Sequence, residues 1–238
     1  MVADSLRALV FDVFGTCVDW RGSIIRELEA LGRDKRIDAD WPAMADEWRR
    51  EGYIRGLARI RAGELPYMSS DDLFSRKLDE LLPKYGVVGL SQPETAQLVR
   101  AWRRLDPWPD TVRGLQWLKS RFFISPLSNG SFATLTSMAK RAGLPWDCII
   151  TTELRHTFKP AREAYLLTAE LLDLSPGEVM LVAAHDNDLR AARTAGLHTA
   201  LVPRPLEWGP NAPALPSADP SFDYVASDFL DLAAQLGV

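Results

Sequence analysis

The sequence predicts an α/β protein in which helices cover a parallel sheet and an all-helical segment is inserted near the start. Short apolar runs of strand length recur along the chain and alternate with longer stretches of helical periodicity. This alternation is typical of βαβ units, in which a helix crosses back over the sheet between two parallel strands. Between Asp19 and Leu105 the strand signal disappears, and arginine-rich amphipathic stretches predict helices instead.

Five apolar runs are the main strand candidates. They are Ala8 to Phe11, Phe122 to Leu127, Cys148 to Thr151, Val179 to Ala183 and Thr199 to Val202. A last strand is expected at Asp223 to Ala226, after a proline-rich stretch from Pro203 to Pro220 that is typical of a surface loop.

Helical patterns separate most of these runs. Those of the core are Gly114 to Arg121, Phe132 to Ala142, Pro160 to Leu172 and Asp188 to Ala195, and those of the insert include Trp41 to Ile60 and Asp71 to Leu82. Gly143 and Gly196 follow two of them, as helix C-caps prefer. We therefore assign residues 1–18 and 105–238 to a Rossmann-like core and residues 19–104 to a helical cap. The cap is expected over the carboxyl ends of the strands, where open α/β sheets place their sites.

Composition and charge exclude several classes of function. The chain has 238 residues, of which 47% are hydrophobic and 25% charged, as in ordinary folded domains. Its net charge of -4 offers no basic footprint for nucleic acid or an anionic membrane. No apolar stretch approaches the roughly eighteen residues that span a bilayer, and no export signal precedes the first strand, so we expect a cytoplasmic protein. Cys17 and Cys148 have no disulfide or metal-ligand spacing.

Polar side chains cluster where the predicted strands end. Asp12 follows the first strand, and Lys159 precedes a helix. The remaining groups are Thr16 after Asp12, Ser128 and Asn129 at the end of the second strand, and Asp186 to Asp188 after the fourth strand. Because the carboxyl ends of parallel strands meet at one edge of a sheet, we expect these side chains to converge on one crevice.

This ordered set of motifs resembles the haloacid dehalogenase superfamily, and within it the type II L-2-haloacid dehalogenases, over nearly the whole chain. The resemblance implies that Asp12 is a covalent nucleophile, that Lys159 is the cation beside it and that Asp188 is the acidic residue of the last motif. It also implies substrate-binding roles for Thr16, Phe14, Arg49, Ser128, Asn129 and Tyr165. Arg49, in a Trp-Arg pair of the cap, would hold the departing halide together with Asn129, while Ser128 and backbone N–H groups would hold the substrate carboxylate.

Two positions favour a dehalogenase over a phosphatase. Phosphatases of this superfamily carry an aspartate two residues after the nucleophile, because an alkoxide leaving group needs a proton. Here that position is Phe14, and a halide needs no proton. Phosphatases also place a magnesium ligand four residues before the aspartate that matches Asp188, and here that position is Ala184. We therefore expect a reaction without metal or cofactor.

The expected reaction converts small 2-haloalkanoic acids into 2-hydroxy acids. Asp12, kept ionised by Lys159, attacks the carbon that bears the halogen, and water then hydrolyses the resulting ester. Asp188 and His185 are both candidates for activating that water, since the ordinary pKa of histidine lies near neutrality. The better-known members carry asparagine where this chain has His185. With Phe14 in place of a common tyrosine, this predicts a tighter pocket and makes fluoroacetate a candidate substrate.

Other interpretations stay open at this point. Arg49 is alternatively one of several arginines on a solvated helix face, Tyr165 a core residue, and Asp188 a helix cap. The alternative functions are a magnesium-dependent phosphatase of the same superfamily and a non-catalytic binding protein on this fold. For the dehalogenase, the expected partner is a small halogenated carboxylate, with neither nucleic acid nor membrane, and the resemblance implies a homodimer.

Overall fold

The structure, a computed structural model, describes residues 2–214 and 219–238. Residues 215–218, part of the proline-rich stretch predicted as a loop, lie outside the described residues. The strands are β1 (Ala8–Phe11), β2 (Val18–Asp19), β3 (Asp106–Pro107), β4 (Phe123–Ser128), β5 (Ile150–Thr151), β6 (Val179–Ala183), β7 (His198–Leu201) and β8 (Tyr224–Val225).

Six of these strands form one parallel sheet in the order β5-β4-β1-β6-β7-β8. β1 lies near the middle, with β4 and β6 as its neighbours. Such an order requires crossover connections, which the helices supply. The predicted α/β fold with a parallel sheet and a helical cap is confirmed.

The helices alternate with the strands in the core and follow one another without strands in the insert. They are α1 (Val2–Ser5), α2 (Trp20–Lys35), α3 (Trp41–Glu47), α4 (Arg55–Arg61), α5 (Ser70–Lys84), α6 (Gln92–Val99), α7 (Thr111–Lys119), α8 (Phe132–Ala142), α9 (Arg162–Leu171), α10 (Asp186–Ala195) and α11 (Phe229–Gln235). Short 3-10 turns lie at Arg100–Arg103, Thr152–Arg155 and Pro176–Glu178. A π-helical segment, Trp48–Ile54, joins α3 to α4. None of the described helices is long and apolar enough to cross a bilayer.

The residues of β1 are all buried, because helices cover both faces of the sheet. Leu9 and Phe11 belong to the apolar layer that includes α7 and α11, whereas Ala8 and Val10 belong to the layer that includes α9 and α10. Side chains of a strand point alternately to its two faces, so this short run anchors both layers. The end of β1 is consequently a rigid support for the residue that follows it.

The insert leaves and re-enters the core through an antiparallel ribbon of β2 and β3. Val18 pairs with Pro107, and Asp19 pairs with Asp106. Inside the insert, the Phe74 and Trp102 rings are stacked with centroids 3.8 Å apart, and the Trp48 ring packs edge-on against Trp102. We keep the proposed domain boundaries at residues 18/19 and 104/105, beside this ribbon.

Candidate active site

The carboxyl edge of the sheet brings the predicted polar residues together. Asp12 follows β1, Ser128 ends β4, and His185 lies between β6 and α10. The main-chain N–H of Asp12 donates to the carbonyl of Val182 in β6, at 3.0 Å. The chain then turns at Gly15, whose φ of +91° lies in the left-handed region that favours glycine. These contacts fix the direction in which the Asp12 side chain points.

Three side chains donate to the Asp12 carboxylate. Thr16 Oγ1 lies 2.8 Å from Oδ2, Lys159 Nζ lies 2.9 Å from Oδ1, and His185 Nδ1 lies 3.2 Å from Oδ2. Burial by itself raises the pKa of Asp12, but Lys159 and His185 outweigh burial and hold that pKa well below its ordinary value. Asp12 is therefore an anion at neutral pH.

Lys159 links Asp12 to a second buried carboxylate. Its Nζ also lies 2.5 Å from Asp188 Oδ2, and the Tyr165 hydroxyl donates to Asp188 Oδ1 at 2.6 Å. Burial lowers the pKa of Lys159, but the two carboxylates outweigh burial and raise that pKa above its ordinary value. Burial and the Asp188 carboxylate both raise the pKa of Tyr165, so its hydroxyl stays a donor. Both oxygens of Asp188 are thus occupied by side-chain donors.

His185 lies between Asp12 and a carboxylate that the sequence did not single out. Its Nε2 lies 2.8 Å from Glu207 Oε2, while Trp20 Nε1 donates to Glu207 Oε1 at 3.0 Å. Burial lowers the pKa of His185, but hydrogen bonds to Asp12 and Glu207 outweigh burial and raise that pKa to about 10. The imidazole therefore carries a proton on both nitrogens at neutral pH, although 31% of the side chain is exposed to the pocket.

Glu207 is held in place by the loop that follows β7. In that loop, Arg204 Nε donates to the carbonyl of Thr16 at 2.9 Å, and its two terminal nitrogens lie 2.7 and 2.8 Å from the Asp110 carboxylate. A Cβ added at Gly15 would lie 2.2 Å from Glu207 Oε1. The turn after Asp12 and the Glu207 loop therefore fit together only with glycine at position 15.

Arg49 lies on the π-helical segment and points into an aromatic enclosure. Its guanidinium carbon is 4.4 Å from the ring centroid of Tyr53, 5.1 Å from that of Phe14 and 5.5 Å from that of Trp20. The residue is 6% exposed. Its Nε and Nη1 atoms have no hydrogen-bond partner among the described residues. Buried donors normally have partners, so these two atoms indicate a place for an anionic ligand.

A pocket of about 340 Å³ joins these groups. Its lining residues are Asp12, Phe14, Arg49, Tyr53, Ile54, Leu57, Arg61, Asn129, Lys159, Pro160, Tyr165, His185, Asn187, Asp188, Glu207 and Trp208. A larger hollow of about 560 Å³ lies among cap residues alone and contains none of the predicted site residues. The smaller pocket is therefore the candidate active site.

Three of the predicted substrate-binding residues form hydrogen bonds to other groups of the protein. Thr16 and Ser128 are buried behind the pocket wall, Thr16 donating to Asp12 and Ser128 accepting from the Gly130 N–H at 3.1 Å. Asn129 lines the pocket, but its Oδ1 accepts from the main-chain N–H of Lys159 at 2.8 Å. Their roles toward a substrate stay predictions.

Comparison with known proteins assigns the chain to a family. The family model of the haloacid dehalogenase-like hydrolases matches residues 6–196. The chain belongs to this family. The predicted membership of the superfamily is confirmed, and the matched range includes Asp12, Lys159 and Asp188 but ends before Glu207.

Within the haloacid dehalogenase-like hydrolases, the relatives have closely similar folds. A solved L-2-haloacid dehalogenase is 42% identical with a TM-score of 0.90, covering 97% of this chain and 99% of that one. A solved defluorinating L-2-haloacid dehalogenase is also 42% identical with a TM-score of 0.92, covering 98% of this chain and 96% of that one. The (S)-2-haloacid dehalogenase of Xanthobacter autotrophicus is 28% identical over 204 residues, which are 84% of this chain and 76% of that protein. The predicted resemblance to L-2-haloacid dehalogenases is confirmed.

Proposed function

We propose that this protein hydrolyses the carbon–halogen bond of small 2-haloalkanoic acids to give 2-hydroxy acids, through an ester on Asp12 and without a metal ion or cofactor. The observation that carries this function is the pairing, in one pocket, of an ionised buried carboxylate with a buried guanidinium that has unpaired donors. A carboxylate supplies the nucleophile, and a guanidinium stabilises an anion as it departs. The names of the relatives that share the fold support the same reaction.

In the first step, Asp12 attacks the carbon that bears the halogen. The carbon–halogen bond breaks as the new carbon–oxygen bond forms, and the halide leaves with the electron pair. Arg49 receives the halide, because its unpaired Nε and Nη1 atoms offer hydrogen bonds in a water-poor aromatic enclosure. The carbon is inverted in this step, and we expect the (S) enantiomer of 2-chloropropionate to be the substrate.

In the second step, water attacks the carbonyl of the Asp12 ester. Asp188 is a poor base for this water, because both of its oxygens are engaged by Lys159 and Tyr165. His185 becomes a base during the reaction. Ester formation removes the negative charge of Asp12, and this lowers the pKa of His185 so that the imidazolium releases its proton to solvent. Neutral His185 then accepts one proton from the attacking water, which restores the imidazolium. The bond between the Asp12 carbonyl carbon and the oxygen of the hydroxy acid breaks, that oxygen takes the second proton of the water, and Asp12 is a carboxylate again. The net products are the hydroxy acid, the halide and one proton.

The alternative magnesium-dependent phosphatase does not suit the side chains present. Position 14 is a buried phenylalanine that packs against Tyr53, so no acid is available there for an alkoxide leaving group. Asp12 already contacts Lys159 and His185, whose positive charges repel a divalent cation. Within residues 2–214 and 219–238, no cluster of three or more His, Cys, Asp or Glu residues is arranged to hold a metal.

Fluoroacetate belongs among the substrates that we propose. A relative 42% identical to this chain is described as a defluorinating L-2-haloacid dehalogenase. Fluoride is a poor leaving group, so its departure depends strongly on hydrogen-bond donors such as those of Arg49. The aromatic walls formed by Phe14 and Tyr53 limit the space around that guanidinium.

Halide release in the presence of a chelator tests the function. The substrates are chloroacetate, bromoacetate, fluoroacetate and both enantiomers of 2-chloropropionate, and the variant is Asp12→Asn. We expect release by the wild type that survives chelation and is lost in the variant. Phosphate-ester hydrolysis that requires magnesium would instead indicate the phosphatase. A folded wild type without turnover of either class would indicate a binding protein.

Cytoplasmic location, absence of nucleic-acid binding and homodimerisation through the cap stay predictions. Light scattering coupled to size-exclusion chromatography measures the oligomeric state directly.

A further inference from the structure

Arg61 reaches from the cap to the loop that carries Lys159. It ends α4, and its Nη1 donates to the main-chain carbonyl of Lys159 at 3.2 Å. It also lines the pocket that contains Asp12. The nucleophile's cationic partner and this guanidinium are thus neighbours, although they lie 98 residues apart in the chain.

Arg61 differs from the other arginines of its helix in having no carboxylate partner among the described residues. Arg55 pairs with Glu51 at 2.8 Å, and Arg59 pairs with Glu64 at 3.1 Å. For Arg61 the hydrogen bond recorded is the one to the Lys159 carbonyl. A guanidinium has several further N–H donors in a planar fork, so most of its capacity to bind a carboxylate is unused.

Arg61 gives the lining of the pocket one more positive than negative charge. Among the described residues that line it, three carboxylates, Asp12, Asp188 and Glu207, face the three cations Arg49, Lys159 and His185. These six charges are balanced and in mutual contact, except for Arg49 in its aromatic enclosure. Arg61 adds one positive charge to this balanced set, which suits a ligand with one negative charge.

A 2-haloacid offers two groups that need a cation. The halogen becomes an anion as it leaves, and the carboxylate is an anion throughout. Arg49 is buried against Phe14, Trp20 and Tyr53, where it suits the halide. Arg61 lies against Lys159 and Pro160 instead, and is exposed enough to meet a ligand arriving from solvent.

We propose that Arg61 is a specificity-determining residue, which binds the substrate carboxylate at the pocket mouth, in addition to the predicted contacts with Ser128 and backbone N–H groups, and thereby selects anionic over neutral halogenated substrates. This inference rests on the proposed function. The Arg61 fork forms hydrogen bonds to the carboxylate in the ground state and in the transition state alike, so it lowers KM more than it raises kcat.

The test compares Arg61→Gln, Arg61→Lys and the control Arg59→Gln, which removes a cap arginine that does not line this pocket. The substrates are chloroacetate and its neutral isostere chloroacetamide. We expect Arg61→Gln to raise KM for chloroacetate by about tenfold, with kcat changed less than about twofold, and to lower the preference for chloroacetate over chloroacetamide. Arg61→Lys restores part of the affinity, whereas Arg59→Gln leaves both constants near those of the wild type.

Calorimetric titration with acetate gives a second readout that needs no turnover. Arg61→Gln weakens acetate binding by a similar factor, and Arg59→Gln does not. Equal acetate binding and equal KM in Arg61→Gln and Arg59→Gln would overturn the inference, as would a loss confined to kcat. A wild type that binds acetate through Arg61 but releases no halide would sink the proposed function and leave carboxylate recognition standing.

Discussion

Glu207 Oε2 lies 2.8 Å from His185 Nε2, the ring nitrogen that does not face Asp12. The imidazole is therefore clamped between two carboxylates, one of which changes charge during the proposed reaction while the other does not. Glu207 holds the ring in one orientation through the whole cycle. In the proposed reaction it is a positioning residue, because it acts on the reacting atoms through His185.

Replacing Glu207 by glutamine tests this arrangement. Glu207→Gln keeps an acceptor for Trp20 but removes the negative charge beside His185, so the pKa of His185 falls from about 10. We expect the midpoint of the titration profile of the His185 ring, followed by NMR, to move to lower pH by about one unit. The control is Glu170→Gln, which removes an exposed carboxylate paired with Arg155. An unchanged profile in Glu207→Gln would refute the role of this carboxylate.

The His185 imidazolium also makes stability depend on pH. Its pKa is raised from 6.5 in the unfolded chain to about 10 in the folded protein, so its contribution is complete below about 6.5 and is lost as the pH rises through about 10. We expect the wild type to unfold at a higher temperature than His185→Asn by about a few degrees near pH 6, with the difference shrinking toward pH 10. Thermal unfolding of both proteins across this range measures the effect. A difference that grows with pH would contradict it.

The proposed function assigns the departing halide to Arg49. We expect Arg49→Gln to lower kcat/KM by about 10²- to 10³-fold, because hydrogen-bond donors to the developing halide are lost. The loss is larger for fluoroacetate and chloroacetate than for bromoacetate, since bromide leaves more readily without help. Arg50→Gln is the matched control, because Arg50 stacks on Trp208 and does not line the pocket. Equal losses for all three halides would argue that Arg49 binds the substrate in another way.

Tyr165 supports Asp188 and, through it, Lys159. Tyr165→Phe leaves Asp188 Oδ1 without its 2.6 Å donor in a buried position. We expect a loss of about 1–3 kcal/mol in the free energy of unfolding, measured with urea, and a lower kcat. The Leu167→Val variant, at another buried position of α9, has a packing cost of about 1 kcal/mol and an unchanged kcat. If Tyr165→Phe kept full kcat, the hydroxyl would have only a structural role.

The positions of several site residues could be predicted from the sequence, because their neighbours have the pattern of a strand, a turn or a helix start. Asp12 follows a strand that is apolar at every position, and Gly15 marks the turn after it, so the place of Asp12 at the end of the strand could be predicted. Its role as nucleophile came from the family resemblance and stays a prediction. The positions of Lys159 and Asp188 could be predicted in the same way, since each lies close to the start of a helix. The structure placed the ends of several elements differently by one to three residues: the strand predicted at Phe122 to Leu127 is Phe123–Ser128, and the helix predicted from Pro160 begins at Arg162.

Neither the site position of Glu207 nor the π-helical segment could be predicted from the sequence. Glu207 sits in a loop without periodicity, and tertiary folding alone brings it to Trp20, 187 residues away in the chain. The pattern from Trp41 to Ile60 predicts a helix, but the widened winding at Trp48–Ile54 leaves no mark in hydrophobic periodicity. Arg49 could therefore be suggested as a site residue, whereas its enclosure by Tyr53 and Trp20 could not.

The ribbon formed by β2 and β3 gives the molecule a modular construction. Because Val18 pairs with Pro107 and Asp19 with Asp106, the two points where the chain enters and leaves the cap are hydrogen-bonded neighbours. A cap of different length or sequence can therefore be joined at the same ribbon without changing the distance between these two points of the core. Substrate range can thus diverge by exchange of one wall of the pocket, which contains Arg49, Tyr53 and Arg61, while Asp12 and its immediate partners on the other wall stay fixed.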